Sequence, residues 1–145
     1  MKDLDSIASV DKMNESPKSS KINAVVLIVE DNLLTSFHIK TILERKGYKN
    51  VMITKSGEEA IEIAHKHDVV LYFMDISLAG DLSGLDAART IRTFSQAPIL
   101  FISALTDEET VDSIHAVENS LHEPKPFKEH NLLDFASKAY PNQLN

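Results

Sequence analysis

The 145-residue chain has no cysteine and no tryptophan, only four glycines, and aromatic residues at 6% of its length. Without cysteine there are no disulfides and no thiolate metal sites, a composition that fits the cytoplasm. Its longest apolar runs are strand-length, well short of the roughly 20 residues a membrane helix needs, and no signal-peptide core is present. No internal repeat or low-complexity tract is found. Positive charge is also scarce: the formal net charge is -7. The first 23 residues hold four acids and four lysines, so the excess lies wholly in residues 24–145. A domain this acidic repels a phosphate backbone, and nucleic acid is not an expected partner.

One well-buried domain is what the length accommodates. Residues 1–22 mix Ser, Lys, Asp and Asn with Pro17 and read as a flexible extension. From Ala24 onward short apolar runs alternate with amphipathic segments, which is the pattern of βα units around a parallel sheet. Strands are expected near 24–29, 50–54, 69–74, 98–102 and 119–122. Helices are expected near 33–46, 57–66, 84–94, 107–117 and 128–139. Helix starts are signalled by Ser56 with Glu59, Ser83 with Asp86 and Thr106 with Glu109. Gly47 suits a helix stop, and Pro98 is placed at the start of the fourth strand.

The chemistry sits at the carboxyl ends of those strands. Glu30 and Asp31 follow AVVLIV, Asp75 follows VVLYFM, Ser103 ends ILFIS, and Lys125 precedes Pro126-Phe127. Parallel sheets gather such ends along one edge, where α/β folds bind ligands. Placing a phosphoryl group on a carboxylate brings anions together, and therefore calls for a hard cation and fixed positive charge. Glu30, Asp31 and Asp75 can offer oxygens to magnesium, Lys125 can offset charge, and Ser103 can hydrogen-bond a phosphoryl oxygen. Taken singly, each could be a helix start, a turn or a solvated charge; four strand ends in this order point to phosphorylation of Asp75.

Residues 24–140 resemble the receiver domain of two-component response regulators. The likeness rests on V-L-I-V-E-D-N at 26–32, M-D-I-S-L at 74–78, Gly84-Leu85 opening a helix, F-I-S-A at 101–104 and K-P-F at 125–127. It implies an α/β fold of the flavodoxin-like, CheY-like type: a doubly wound (βα)5 three-layer sandwich with a five-stranded parallel sheet in the order 2-1-3-4-5. The receiver would occupy residues 23–141, with a tail at 142–145. By resemblance Asp75 is the phosphoacceptor. Magnesium, with manganese able to substitute, is held by Asp31, Asp75 and the backbone carbonyl of Ser77, with Glu30 acting largely through water. The Ala104 backbone meets a phosphoryl oxygen, Ser103 and the residue at 122 form the switch, and the Lys125–Pro126 peptide is cis.

The resemblance further implies a signalling domain rather than an enzyme, catalysing only its own phosphorylation and dephosphorylation. Its donor would be a sensor histidine kinase or a histidine phosphotransfer protein. Because the chain ends about five residues past the last helix, a single-domain regulator is expected, signalling to a downstream protein target. The output surface, and any weak dimer contact, would be the fourth helix, fifth strand and last helix. Both a relay shuttle and an effector-binding regulator fit.

Several positions depart from the family pattern. The segment Asp75 to Gly84 is one residue longer than the commonest spacing and lacks the usual Met-Pro pair. His122 occupies the usual Tyr or Phe switch position, where an imidazole could couple the switch face to pH. Glu118-Asn119 replaces the usual Gly-Ala. Leu105, two residues after Ser103, cannot orient water, so a slow loss of phosphate is expected. The alternatives are a phosphorylation-independent pseudo-receiver and a haloacid-dehalogenase-like phosphatase. The latter uses a second Asp two residues after the nucleophile, where this chain has Ser77. A flavin binder would need a phosphate loop after the first strand, where Glu30-Asp31 stands.

Overall fold

A computed structural model describes residues 24–141. The expected extension at 1–22 and the tail at 142–145 lie outside the described residues. Five strands, β1 (Ala24–Val29), β2 (Val51–Thr54), β3 (Asp68–Met74), β4 (Ile99–Ser103) and β5 (Ser120–Pro124), alternate with five helices. These are α1 (Leu33–Arg45), α2 (Gly57–Lys66), α3 (Gly84–Ile91), α4 (Glu108–His115) and α5 (Glu129–Ala139). All strand pairs are parallel and their order is β2-β1-β3-β4-β5, the doubly wound arrangement expected from the sequence.

The interior strand β1 is buried along its whole length, which explains its uninterrupted apolar run. Alternate side chains enter two cores. Val25, Leu27 and Val29 pack with Ala60 of α2, Ala87 and Ile91 of α3 and Ile114 of α4. Val26 and Ile28 pack with Ile39 and Leu43 of α1 and Leu132 and Ala136 of α5. Helices therefore cover both faces. Burial of Leu27, Ile28, Phe73 or Phe101, each at most 1% exposed, contributes on the order of 1.5–3 kcal/mol apiece.

Local signals act at most of the expected boundaries. Ser56 accepts from the Glu59 amide, and Ser83 and Asp86 form a reciprocal capping box. After α1 the chain turns at Gly47, with φ of 100°. The Gly47 amide donates to the Glu44 carbonyl and the Tyr48 amide to that of Leu43, closing the helix in a Schellman motif.

Several boundaries differ from expectation by one to three residues, the largest shift being the helix expected at 84–94, which ends at Ile91. Thr106 does not cap α4; Asp107 does, its carboxylate accepting from both the amide and the hydroxyl of Thr110. A carboxylate is the stronger acceptor for two donors, and Thr110 rewards it. The fourth strand begins at Ile99 rather than Pro98, although the Pro98 carbonyl still accepts from the Tyr72 amide. Strand β5 continues two residues beyond the expected 122, since Glu123 and Pro124 pair with Ile102 and Ser103.

At the opposite edge of the sheet, Asn119 has φ of 54°, a conformation that asparagine tolerates better than most residues. Arg92 reinforces this turn. Its guanidinium donates to the carbonyls of Glu118 at 2.8 Å, Asn119 at 3.0 Å and Ser95 at 3.0 Å, tying the end of α3 to the start of β5.

Candidate functional site

The sheet order reverses between β1 and β3, and the acids lie at the carboxyl ends of these two strands. Ladder hydrogen bonds continue past the strands and set their heights: the Glu30 amide donates to the Thr54 carbonyl and the Asp75 amide to that of Val29. Glu30 and Asp75 are buried, at 3% and 6% exposure, whereas Asp31 is open to solvent. Carboxylate oxygens of these three residues lie within 4.8 Å of one another.

Lys125 reaches this acidic group from the far side of the sheet. Its ammonium lies 3.1 Å from Glu30 Oε1 and 3.2 Å from Asp75 Oδ2. Burial works against the charged ammonium, but the hydrogen bond to Glu30 and the negative charges of Asp75 and Glu30 outweigh it. The Lys125 pKa is raised. Glu30 is also raised, chiefly by burial and further by Asp75, against the opposing pull of the Asn32 amide and Lys125. The other oxygens are engaged as well: Glu30 Oε2 accepts from the Asn32 amide at 3.0 Å, and Asp75 Oδ1 from the Ser77 amide at 3.3 Å.

The fourth strand is tied in through the backbone. The Lys125 amide donates to the Ser103 carbonyl at 3.0 Å, just before the cis Lys125–Pro126 peptide. Ser103 is buried and its Oγ accepts from the Leu105 amide, while Ala104 beside it is exposed. His122 stands apart from the carboxylates, in register with Phe101 on the face covered by α2, α3 and α4. Its Nε2 is buried without a hydrogen-bond partner.

Two features of the site escaped sequence reasoning. Gly84 is recognisable as a helix start, but its reason is steric: a Cβ there would fall 1.9 Å from the Asp75 carbonyl oxygen. The lengthened loop after Asp75 is pinned to α2 by a bridge between Ser56 and Ala79 and by the Asp81 amide donating to Glu58. A left-handed Gly80 abuts the same Glu58. Neither contact has a signal in local sequence, because each joins segments distant along the chain.

The donor set fits a hard divalent cation: oxygens only, two acids buried and one open to solvent, with no sulfur or imidazole among them. Buried carboxylates sharing one lysine leave a net negative site, which a cation would neutralise.

The sheet is doubly wound, with an acidic cluster at its switch point and a lysine that follows the last strand. The family model described as "Response regulator receiver domain" matches residues 26–137. The chain belongs to that family, a signalling domain of two-component systems rather than a family of catalytic enzymes. It is 36% identical over 116 residues to the transcriptional regulatory protein YvrH of Bacillus subtilis, covering 80% of this chain and 47% of that one. To the aerobic respiration control protein ArcA of Escherichia coli it is 35% identical over 122 residues, covering 83% and 50%. The chain thus spans about half the length of these curated relatives. The chemotaxis protein CheY4 of Vibrio cholerae superposes with a TM-score of 0.72 at 24% identity, covering 81% of this chain and 98% of that one, a likeness of fold. Among the described residues no helix is long and apolar enough to cross a membrane.

Proposed function

We propose that the protein accepts a phosphoryl group on Asp75 from a phosphohistidine donor and transmits that state by protein contact. The observation that carries this reading is the Lys125 ammonium between Glu30 and Asp75, 3.1 and 3.2 Å away, beside an acidic cluster suited to magnesium. In the transfer an Asp75 carboxylate oxygen forms a bond to phosphorus as the phosphorus–nitrogen bond of the donor breaks, and the departing imidazole keeps the bonding pair and takes up a proton. Asp31, Asp75 and the Ser77 carbonyl, with Glu30 acting largely through water, would hold magnesium, which would supply positive charge to the transferring oxygens. Lys125 adds fixed positive charge beside Asp75, and Ser103 with the Ala104 amide offers donors to a phosphoryl oxygen. Buried Glu30 holds the Asn32 amide, so its carboxylate also orients the turn into α1.

The partners proposed are a sensor histidine kinase or a histidine phosphotransfer protein upstream and a protein target downstream. The proposed output surface, which could also mediate a weak dimer, comprises α4, β5 and α5. Leu121 of β5, 60% exposed, is an apolar residue suited to such a contact. Localisation in the cytoplasm is part of the same reading, as are the receiver limits of 23–141.

The test is intact mass after incubation with acetyl phosphate and magnesium. A single phosphoryl adduct on the native chain, absent from Asp75→Ala, is the expected result. Lack of an adduct with both the small donor and a phosphohistidine donor would favour a pseudo-receiver that acts by contact alone.

A further inference from the structure

A buried acid in β5 has no part in the chemistry described so far. Glu123 pairs with Ile102 in the sheet, and that register turns it toward the core lined by α1 and α5. Only 8% of its surface is exposed. An apolar side chain would pack there without the cost of desolvating a carboxylate. Its bonds indicate what it does instead. Oε2 accepts from the Lys128 amide at 2.9 Å, and the Asn131 side-chain amide donates to both oxygens at 3.1 and 3.2 Å.

Lys128 is the N-cap of α5 and makes no side-chain cap. In a capping box the carboxylate three residues into the helix reaches back to the N-cap amide. That position is Asn131 here, and the carboxylate comes from the neighbouring strand. The bond closes a short loop, residues 124–127, which contains Lys125. Near its start the loop is fastened by the Lys125 amide to the Ser103 carbonyl; at its end it is fastened by Glu123.

We propose that Glu123 is a positioning residue: by holding the Lys128 amide it fixes the loop that keeps the Lys125 ammonium between Glu30 and Asp75, and thereby sets the rate of phosphoryl uptake. The proposal rests on the reading of Asp75 as acceptor. A lysine side chain has many rotamers, and a loose loop would let it spend time in solvent, away from the transferring oxygens. The acid acts through Lys125 and touches no reacting atom.

The experiment compares Glu123→Gln, Glu123→Leu and Glu123→Met, each with and without Lys125→Ala. Two quantities are measured: the initial rate of Asp75 modification by acetyl phosphate, and magnesium affinity by calorimetry without any phosphodonor. Glutamine still accepts from the Lys128 amide and should stay within about twofold of the native rate, whereas leucine or methionine fills the volume without accepting and should slow uptake about tenfold. In the Lys125→Ala background the apolar substitutions should add nothing, the signature of a residue acting through Lys125. Loosening the ammonium should also strengthen magnesium binding, in the same direction as Lys125→Ala. Leu and Met variants that fold and match the native protein in rate and magnesium affinity would overturn the proposal. So would an equal loss of rate in the Lys125→Ala background. If the native chain takes no phosphoryl group, the acceptor reading fails by itself, and the magnesium affinities still decide the role of Glu123.

Discussion

Gly84 lies so close to Asp75 that a Cβ added to it would sit 1.9 Å from the Asp75 carbonyl oxygen and 2.9 Å from the Ile76 Cα. The first turn of α3 is thereby pressed against the strand end that presents the proposed phosphoacceptor, and the Gly84 amide donates to the Ile76 carbonyl at 2.7 Å. Both neighbours are backbone, which cannot swing aside as a side chain would. Gly84→Ala is expected to cost about 3 kcal/mol or more and to slow Asp75 modification by displacing it. Urea denaturation together with intact-mass rates checks both effects; a variant of native stability would mean that α3 can shift without penalty.

His122 carries a buried Nε2 without a partner, the one such side-chain atom among the described residues. An unsatisfied buried polar atom costs about 1–3 kcal/mol, so His122→Phe should raise the melting temperature. A less stable His122→Phe protein would show that Nε2 is satisfied in solution.

The side chain of Leu105 is 40% exposed, and its amide donates to Ser103 Oγ at 3.0 Å. An apolar group there cannot orient a water for attack on the proposed aspartyl phosphate, and slow spontaneous loss of the phosphoryl group is the expected outcome. Leu105→Glu supplies a proton acceptor and should shorten the half-life several-fold. The decay of the phosphorylated form in the absence of any phosphatase measures this directly, and equal half-lives would show that another group governs the water.

Tyr72 is fully buried, and its pKa is pushed up to about 12 by burial, aided by Asp68 and opposed by Arg92 and by a hydrogen bond to Ser95. Tyr48 and Tyr140 are raised too, each chiefly by burial. A phenol whose folded pKa exceeds its unfolded value stabilises the fold fully below about pH 10, and that stability is lost as pH rises through the folded value. Phenolate absorbance should therefore appear late in an alkaline titration and together with the loss of secondary structure. A transition near the ordinary tyrosine value with the fold intact would contradict the burial of Tyr72.

The alternation of strands and helices was legible because its causes are local: a run such as AVVLIV suits a strand buried on both faces, and caps such as Ser56 and Ser83 lie three residues from their partners. Thr106 and Asp107 show the limit of that reasoning. Adjacent residues offered competing caps, and local sequence did not reveal which would meet a second donor from Thr110. The residues of the acidic cluster were also readable, since they follow apolar runs, and Lys125 was readable from the Pro126-Phe127 after it.

What the sequence by itself determined was the order of elements, their type and which polar residues stand at the strand ends, all properties of short segments and of the parallel topology they imply. Tertiary structure alone decided the contacts between residues far apart along the chain. Lys125 meets Glu30 across 95 positions, Arg92 fastens a turn 27 positions away, and Gly84 is compelled by the path of a backbone it packs against. Glu123 lies just past the strand expected from the sequence at 119–122. Only the sheet register, which turns it inward under α5, made it the partner of an uncapped helix. Such contacts depend on distances set when two cores close on one sheet, and no local pattern encodes those distances.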